Sequence, residues 1–426
     1  MNIDYTYLRP KKAEALKKWY DAPIEIRDDP AIWQGARATI LPLRRNPDFG
    51  LLFGKGGVVD QDGAYVDLSA IPGRVQYAYP FEKAQYRDEK VVYCGYMVNH
   101  WGHFLIEGVT RLWYFMEQDD TIDKYVFFLD ENEQREIQGN YREFLQLLGI
   151  WEKLEFINQP TTYRQVIVPE LGIHMRHAYT PKLLKVFDAV AENVQPDPSW
   201  EAPEKIYYSR SQFQKGQQFE FGFDALDNFF EKNGYTILYP EKVPLGRMIH
   251  YIRSCKVVAT PSGTLPHNML FATQGQKLEI FERLTINNDN QTDINRLRDL
   301  DVVYIDAHIP IYSVGFAGPS IMAYTPEFAR FAEDQGYQPP DAKYLTKKHY
   351  KNCFIHYMKS YQDLYRYNWY EEEWYAPLAD YLYEGFQAGH SFYGDYLDGK
   401  RPFLWHHYLE LHYFKQWIKR LLKIQR

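Results

Sequence analysis

Between Tyr93 and Phe115 the chain reads YCGYMVNHWGHFLIEGVTRLWYF, an apolar run interrupted by His100, His103, Glu107 and Arg111. The last three are spaced by four, so on an α-helix they share one side and each can reach the next. Leu105, Val109, Leu112 and Met116 fall on the opposite side, toward a core. Asn99 stands where a helix cap belongs, and Gly102 permits close approach of another backbone. A histidine with a carboxylate one turn away suits removal of a proton from an attacking hydroxyl. Two assignments fit: His103 as the base with Glu107 orienting it, or Glu107 as the base itself. A solvated face with a Glu–Arg pair would use the same residues without chemistry, and His100 reads equally well as a hydrogen-bonded core histidine.

A second set lies in KVVATPSGTLPHNMLFA, where a β-branched strand meets a turn of small residues and a helix with Pro266 near its first turn. Amide groups at a helix start lack internal partners and attract anions, and Ser262, Gly263 and Thr264 would let a diphosphate approach closely. The segment is neither a Walker loop nor a GxGxxG fingerprint. Arg210 ends the strand-like run KIYYSR, so it would emerge at the carboxyl edge of a sheet, where a guanidinium suits phosphate. Glu279, in KLEIFE, could accept hydrogen bonds from ribose hydroxyls, with Glu282 as a competitor. Asp60-Gln61-Asp62 has the form of a metal-binding Asp-x-Asp. Asp62-Gly63 between two alternating runs, however, is a hairpin-turn signal, and no metal is expected there.

These residues need elements to hold them. Residues 36 to 80 read as short strands with turns. From the first motif onward, strand and helix signals alternate: KYVFFLD, then EQREIQGNYREFLQLLGI, then RQVIVPE. The polar, proline-bearing stretch AENVQPDPSWEAPE reads as a linker, and a second alternating set runs from KIYYSR to QKLEIFE. Alternation of this kind predicts an α/β fold with parallel sheets covered on both faces. The expected organisation is one α/β lobe over 1–195, a second over 196–310, and an aromatic-rich helical region over 311–426 that packs back on the lobes. After Glu410 the chain carries five basic residues and no acidic one, with Lys415, Lys419, Lys423 and Arg426 on one helical face. That face would suit peripheral contact with an anionic membrane surface, or simple internal packing.

Composition narrows the classes. A net charge of −7 argues against general nucleic-acid binding. Three distant cysteines fit a reducing compartment and exclude both a disulfide framework and a cysteine-based zinc site. The first twenty residues lack the apolar run of a secretory signal, and no stretch reaches membrane-span length, so a cytoplasmic setting is expected.

The two sets, in this order, resemble glycosyltransferase family 61. The family's GHFL.E…RL helix is matched by Gly102, His103, Phe104, Leu105, Glu107, Arg111 and Leu112, and its iyisR strand by Ile206 to Arg210. Its glycine turn leading to N.lF is matched by Gly263, Asn268, Leu270 and Phe271, and its vEif-like strand by Leu278 to Phe281. Many members have His-Gly-Ala at the turn, where this chain has Ser262-Gly263-Thr264. The likeness covers roughly residues 90 to 285. It implies a GT-B architecture of two Rossmann-like lobes facing a cleft, and metal-independent, inverting transfer from a nucleotide-diphosphate sugar to a glycan or lipid-linked acceptor. A setting in bacterial surface polysaccharide synthesis, at or near the inner face of the membrane, follows from it. On this reading His103 and Glu107 are catalytic. Arg210, Ser262, Gly263, Thr264, His267, Asn268 and Glu279 bind donor, and Asn99, His100 and Arg111 lie on the acceptor side. A non-catalytic carbohydrate-binding or scaffold subunit and a nucleotide-sugar epimerase are the rival expectations.

Overall fold

The structure, a computed structural model, describes residues 1–45, 54–72, 74–213, 219–285, 289–311, 319–365 and 375–389. It is α/β, built on two principal sheets. In the first, strands Thr161–Pro169, Gln85–Tyr96, Lys124–Phe128 and Leu154–Ile157 lie side by side and parallel. Strands Thr39–Arg45, Gly54–Val59 and Ile32–Ala36 extend this sheet with antiparallel pairings. The last six residues of Gln85–Tyr96 are all buried, as befits a strand covered on both faces.

The second sheet is parallel throughout. Its spatial order is Asn2–Tyr7, Asp301–Asp306, Lys277–Glu282, Val257–Pro261, Lys205–Tyr208 and Thr236–Leu238. Lys205–Tyr208 is flanked by the next two strands of this sheet, Thr236–Leu238 and Val257–Pro261, one on each side, so the winding direction reverses there. Gln85–Tyr96 lies between Lys124–Phe128 and Thr161–Pro169 in the same way. At such a reversal the connecting helices leave toward opposite faces and open a crevice beyond the carboxyl edge.

One hydrophobic cluster runs through both units, joining Val92, Leu105 and Leu112 to Ile206, Val258 and Leu278. Phe144 and Phe187 meet Phe271 edge-on at 6.0 and 5.3 Å between ring centroids. Full burial of each ring stabilises the joint by about 1.5–3 kcal/mol relative to exposure. The carboxylate of Glu143, on helix Gly139–Leu147, also accepts from Gly246 N (2.8 Å) and Leu245 N (3.2 Å), capping helix Leu245–Ser254.

Two expectations are revised and a third is met. Asn2–Tyr7, within the span assigned to the first lobe, pairs in parallel with Asp301–Asp306 in the second sheet. The helix expected over EQREIQGNYREFLQLLGI is shorter, Gly139–Leu147, with Gly139 in the left-handed region. The hairpin expected at Asp60 does form: its carboxylate accepts from Asp62 N (3.0 Å) and Ala64 N (2.8 Å). Helix Lys347–Tyr365 buries Tyr350, Phe354 and Tyr357 against Ile309 and Ile321. The basic stretch after Glu410 lies outside the described residues. Among the described residues no helix is long and apolar enough to cross a membrane.

Candidate active site

A cleft of about 820 Å³ opens at the carboxyl edges of both sheets. One wall carries Asn99, His100, Trp101, Gly102, His103 and Ile106, with Asn140 and Tyr141 beside them. The other carries Ser209, Arg210, Glu220, Gly263, Thr264, Leu265, His267 and Arg283. The volume falls in the range typical of small-molecule sites. The walls touch at their base, where a Cβ on Gly102 would lie 2.7 Å from Thr264 Cγ2 and 3.1 Å from His267 Cδ2. Beside that contact, Trp101 Nε1 donates to Asn268 Oδ1 at 2.8 Å.

The first motif is not a regular α-helix. Residues Trp101–His103 form a short helical turn, Phe104–Gly108 a π turn closed by Val109 N to Phe104 O (2.9 Å), and Thr110–Glu117 a 3₁₀ segment. The change of pitch breaks the spacing-by-four argument after Glu107. His103 Nδ1 and Glu107 Oε1 are 3.2 Å apart. Arg111 instead turns inward, fully buried, and donates to the carbonyls of Pro169, Leu68 and Ala70, each at 2.9 Å. It holds loops together away from the cleft. At the motif's start, His100 occupies the cap position expected for Asn99, and no side chain caps the turn.

Arg74, unsuspected from the sequence, completes the first wall's charge arrangement. Its Nε donates to Glu107 Oε2 (3.0 Å), and its Nη2 lies 2.9 Å from His103 Nδ1 and 3.0 Å from Nε2. Burial pushes the Glu107 carboxyl up, but the hydrogen bond and charge of His103 and the Arg74 guanidinium outweigh it and hold Glu107 below the usual carboxylate range. His100, its ring 4.8 Å from that of His103, is lowered by desolvation and then by the His103 and Arg74 charges. His267 donates or accepts at Nδ1 with Gln291 Oε1 (2.8 Å), and burial lowers it to about 4.

On the second wall, two guanidinium groups converge on one carboxylate. Arg210 Nε reaches Glu220 Oε2 at 2.6 Å, and Arg283 Nη1 reaches Glu220 Oε1 at 2.5 Å. Both guanidinium groups thus share a single carboxylate, while Glu241 lines the same cleft. The strand end bearing Arg210 is fixed by Asp227, whose oxygens accept from Ser209 and Ser211 hydroxyls at 2.6 Å each. Arg283 Nε donates to Ser262 O (2.7 Å), locking the turn whose Gly263 has φ 129°. A Cβ at Gly263 would be both strained and 3.2 Å from Arg283 Nη2.

Other expected donor residues stand elsewhere. Ser262 is buried behind the turn, its N–H donated to Phe281 O (2.9 Å). The helix after the turn is 3₁₀ and spans only Leu265–Phe271, so the positive field there comes from the arginines rather than from a long helix dipole. Asn268 is buried in its bond with Trp101. Glu279 is fully buried, accepts from Tyr235 Oη (2.7 Å) and pairs with Lys277 (3.2 Å), away from the cleft lining. Glu282, the competitor, pairs with Lys12 at 2.8 Å in a second buried site. Arg283 was within reach of sequence reasoning, since it follows a strand at the same sheet edge as Arg210. Glu220 and Arg74 gave no comparable signal.

Residues 101–278 match the family model described as Glycosyltransferase 61. The chain matches no curated protein. The matched segment contains His103, Glu107, Arg210 and Thr264, while Arg74 and Arg283 lie outside it. Through residues 101–278 this chain is similar to glycosyltransferase family 61.

Proposed function

We propose that the cleft carries out an inverting glycosyl transfer from a nucleotide-diphosphate sugar, within a GT-B-like pair of lobes. The observation that carries this reading is the pairing of opposite walls. A His103–Glu107 dyad stands on one, and the Arg210 and Arg283 guanidinium groups stand on the other. In a single displacement the acceptor hydroxyl gives its proton to an imidazole nitrogen while its oxygen bonds to the anomeric carbon. The bond from that carbon to the phosphate oxygen breaks, and the electron pair leaves with the nucleoside diphosphate. Preorganised guanidinium donors stabilise that departing charge. His103 lines the cleft whereas Glu107 sits behind it, which favours His103 as base and Glu107 as the group that orients its ring. Glycine at 263 lets a phosphate approach the backbone closely. The acceptor on this reading is a glycan or lipid-linked glycan of a bacterial surface polysaccharide, as the family likeness implies.

The test is a panel of nucleotide sugars scored by thermal shift, followed by transfer assays. One donor should raise the melting temperature of both wild type and H103A, since a ligand of the native state stabilises it. H103A should lose transfer by roughly 100-fold or more. No shift with any nucleoside diphosphate or its sugars would end the donor reading. Wild-type turnover by H103A would remove His103 as the base.

A further inference from the structure

Among the buried arginines of the first unit, Arg74 and Arg111 spend their donors differently. Arg111 donates to the backbone carbonyls of Pro169, Leu68 and Ala70 and so stitches loops. Arg74, about 10% exposed, directs Nε and Nη2 to two ionisable side chains, Glu107 and His103. Its fork grips one oxygen of Glu107 at 3.0 Å and reaches the other at 3.5 Å, so the carboxylate cannot swing away from His103. With Nδ1–H donating to Glu107, Nε2 carries the lone pair; Arg74 Nη2 lies 2.9 Å from Nδ1 and 3.0 Å from Nε2, so it fixes the place of the ring, and Glu107 sets its tautomer.

We propose that Arg74 is a positioning residue for the transfer: it clamps Glu107 and holds the His103 ring in one orientation, so that Glu107 takes the Nδ1 proton and Nε2 is left for the acceptor hydroxyl. The proposal rests on the reading of His103 as base. A planar guanidinium suits this place because its fixed fork spans both oxygens of Glu107 while Nη2 stays against the imidazole, a geometry that a single ammonium nitrogen does not reproduce.

The experiment compares wild type, R74A and R74K in steady-state transfer with the donor identified by thermal shift. R74A is expected to lose roughly 100-fold in kcat with donor KM within about twofold of wild type. Added guanidinium should restore part of the R74A rate while leaving wild type and H103A unchanged. R74K, which keeps the charge without the fork, should be impaired to a similar degree, and it carries the test if R74A does not fold. A kcat near wild type in either variant overturns the proposal. So does a loss that falls equally on donor binding and is not rescued by guanidinium, since that is the behaviour of a structural arginine. Failure of the wild type to bind or use any nucleotide sugar would instead strike the underlying reading, so the two failures are distinguishable.

Discussion

His267 sits at the base of the cleft, 3% exposed, with its Nδ1 on Gln291 and two other imidazoles nearby. Burial is the main reason its folded value falls to about 4, against an ordinary value of 6.5. In that interval the unfolded chain binds a proton that the folded site refuses. Its stabilising contribution is therefore complete above pH 6.5 and is lost as pH falls from there to about 4, on the order of 3 kcal/mol in all. H267Q cannot titrate, so its stability should fall less over the same window. Denaturant midpoints of wild type and H267Q measured from pH 7 to pH 4 check this; parallel curves would mean His267 titrates normally. That His267 and Asn268 would be buried where the two walls meet was not visible in the residues, because exposure is set by the opposite wall.

At the scale of elements, Gly102 is where two segments more than 160 positions apart press together. A methyl group there would come 2.7 Å from Thr264 Cγ2, well inside contact distance. G102A is expected to cost roughly 1–3 kcal/mol, the usual penalty of overpacking, and to weaken donor binding by displacing the turn at Gly263. T264S removes the methyl that clashes, so the double variant G102A/T264S should recover part of the loss. A double-mutant cycle on denaturant stability reads that coupling directly; additive effects would show that the two elements do not bear on each other. The sequence marked Gly102 as a site of close approach but could not name Thr264 as what approaches.

At the scale of the molecule, the chain's beginning is sewn into the second sheet and its buried charge network. Lys12 Nζ lies 2.8 Å from Glu282 and 3.6 Å from Asp306, with all three side chains 5% exposed or less. Asp306 also accepts from Arg9 N at 2.7 Å. Replacing Lys12 with Met would take from buried Glu282 its cation and leave Asp306 with Arg9 alone, and breaking such a group costs about 3–5 kcal/mol. K12M should therefore unfold at markedly lower denaturant. Because one hydrophobic cluster spans both units, the loss should appear in a single transition rather than in one unit alone. Two separated transitions by fluorescence and circular dichroism would contradict that coupling. The alternation of Ile3, Tyr5 and Tyr7 with polar residues, followed by Pro10 and a basic helical stretch, was a legible strand and helix signal. Its partner in the second sheet was not legible.

What local chemistry dictates, the sequence determined: the alternation of strands and helices, the turn at Asp60, the positions of His103 and Arg210 just past buried strands, and the family pattern over 101–278. These follow from periodicity, backbone preference and side-chain type within a few residues. The tertiary structure alone decided which charges meet. The π turn rotated Arg111 out of line with Glu107, burial claimed Glu279 for Tyr235 and Lys277, and Arg74, Glu220 and Arg283 entered from distant segments. A short-range pattern fixes where a side chain starts on its own element. Its partners across a cleft depend on how separate elements pack, and that is settled by the shared core rather than by neighbouring residues.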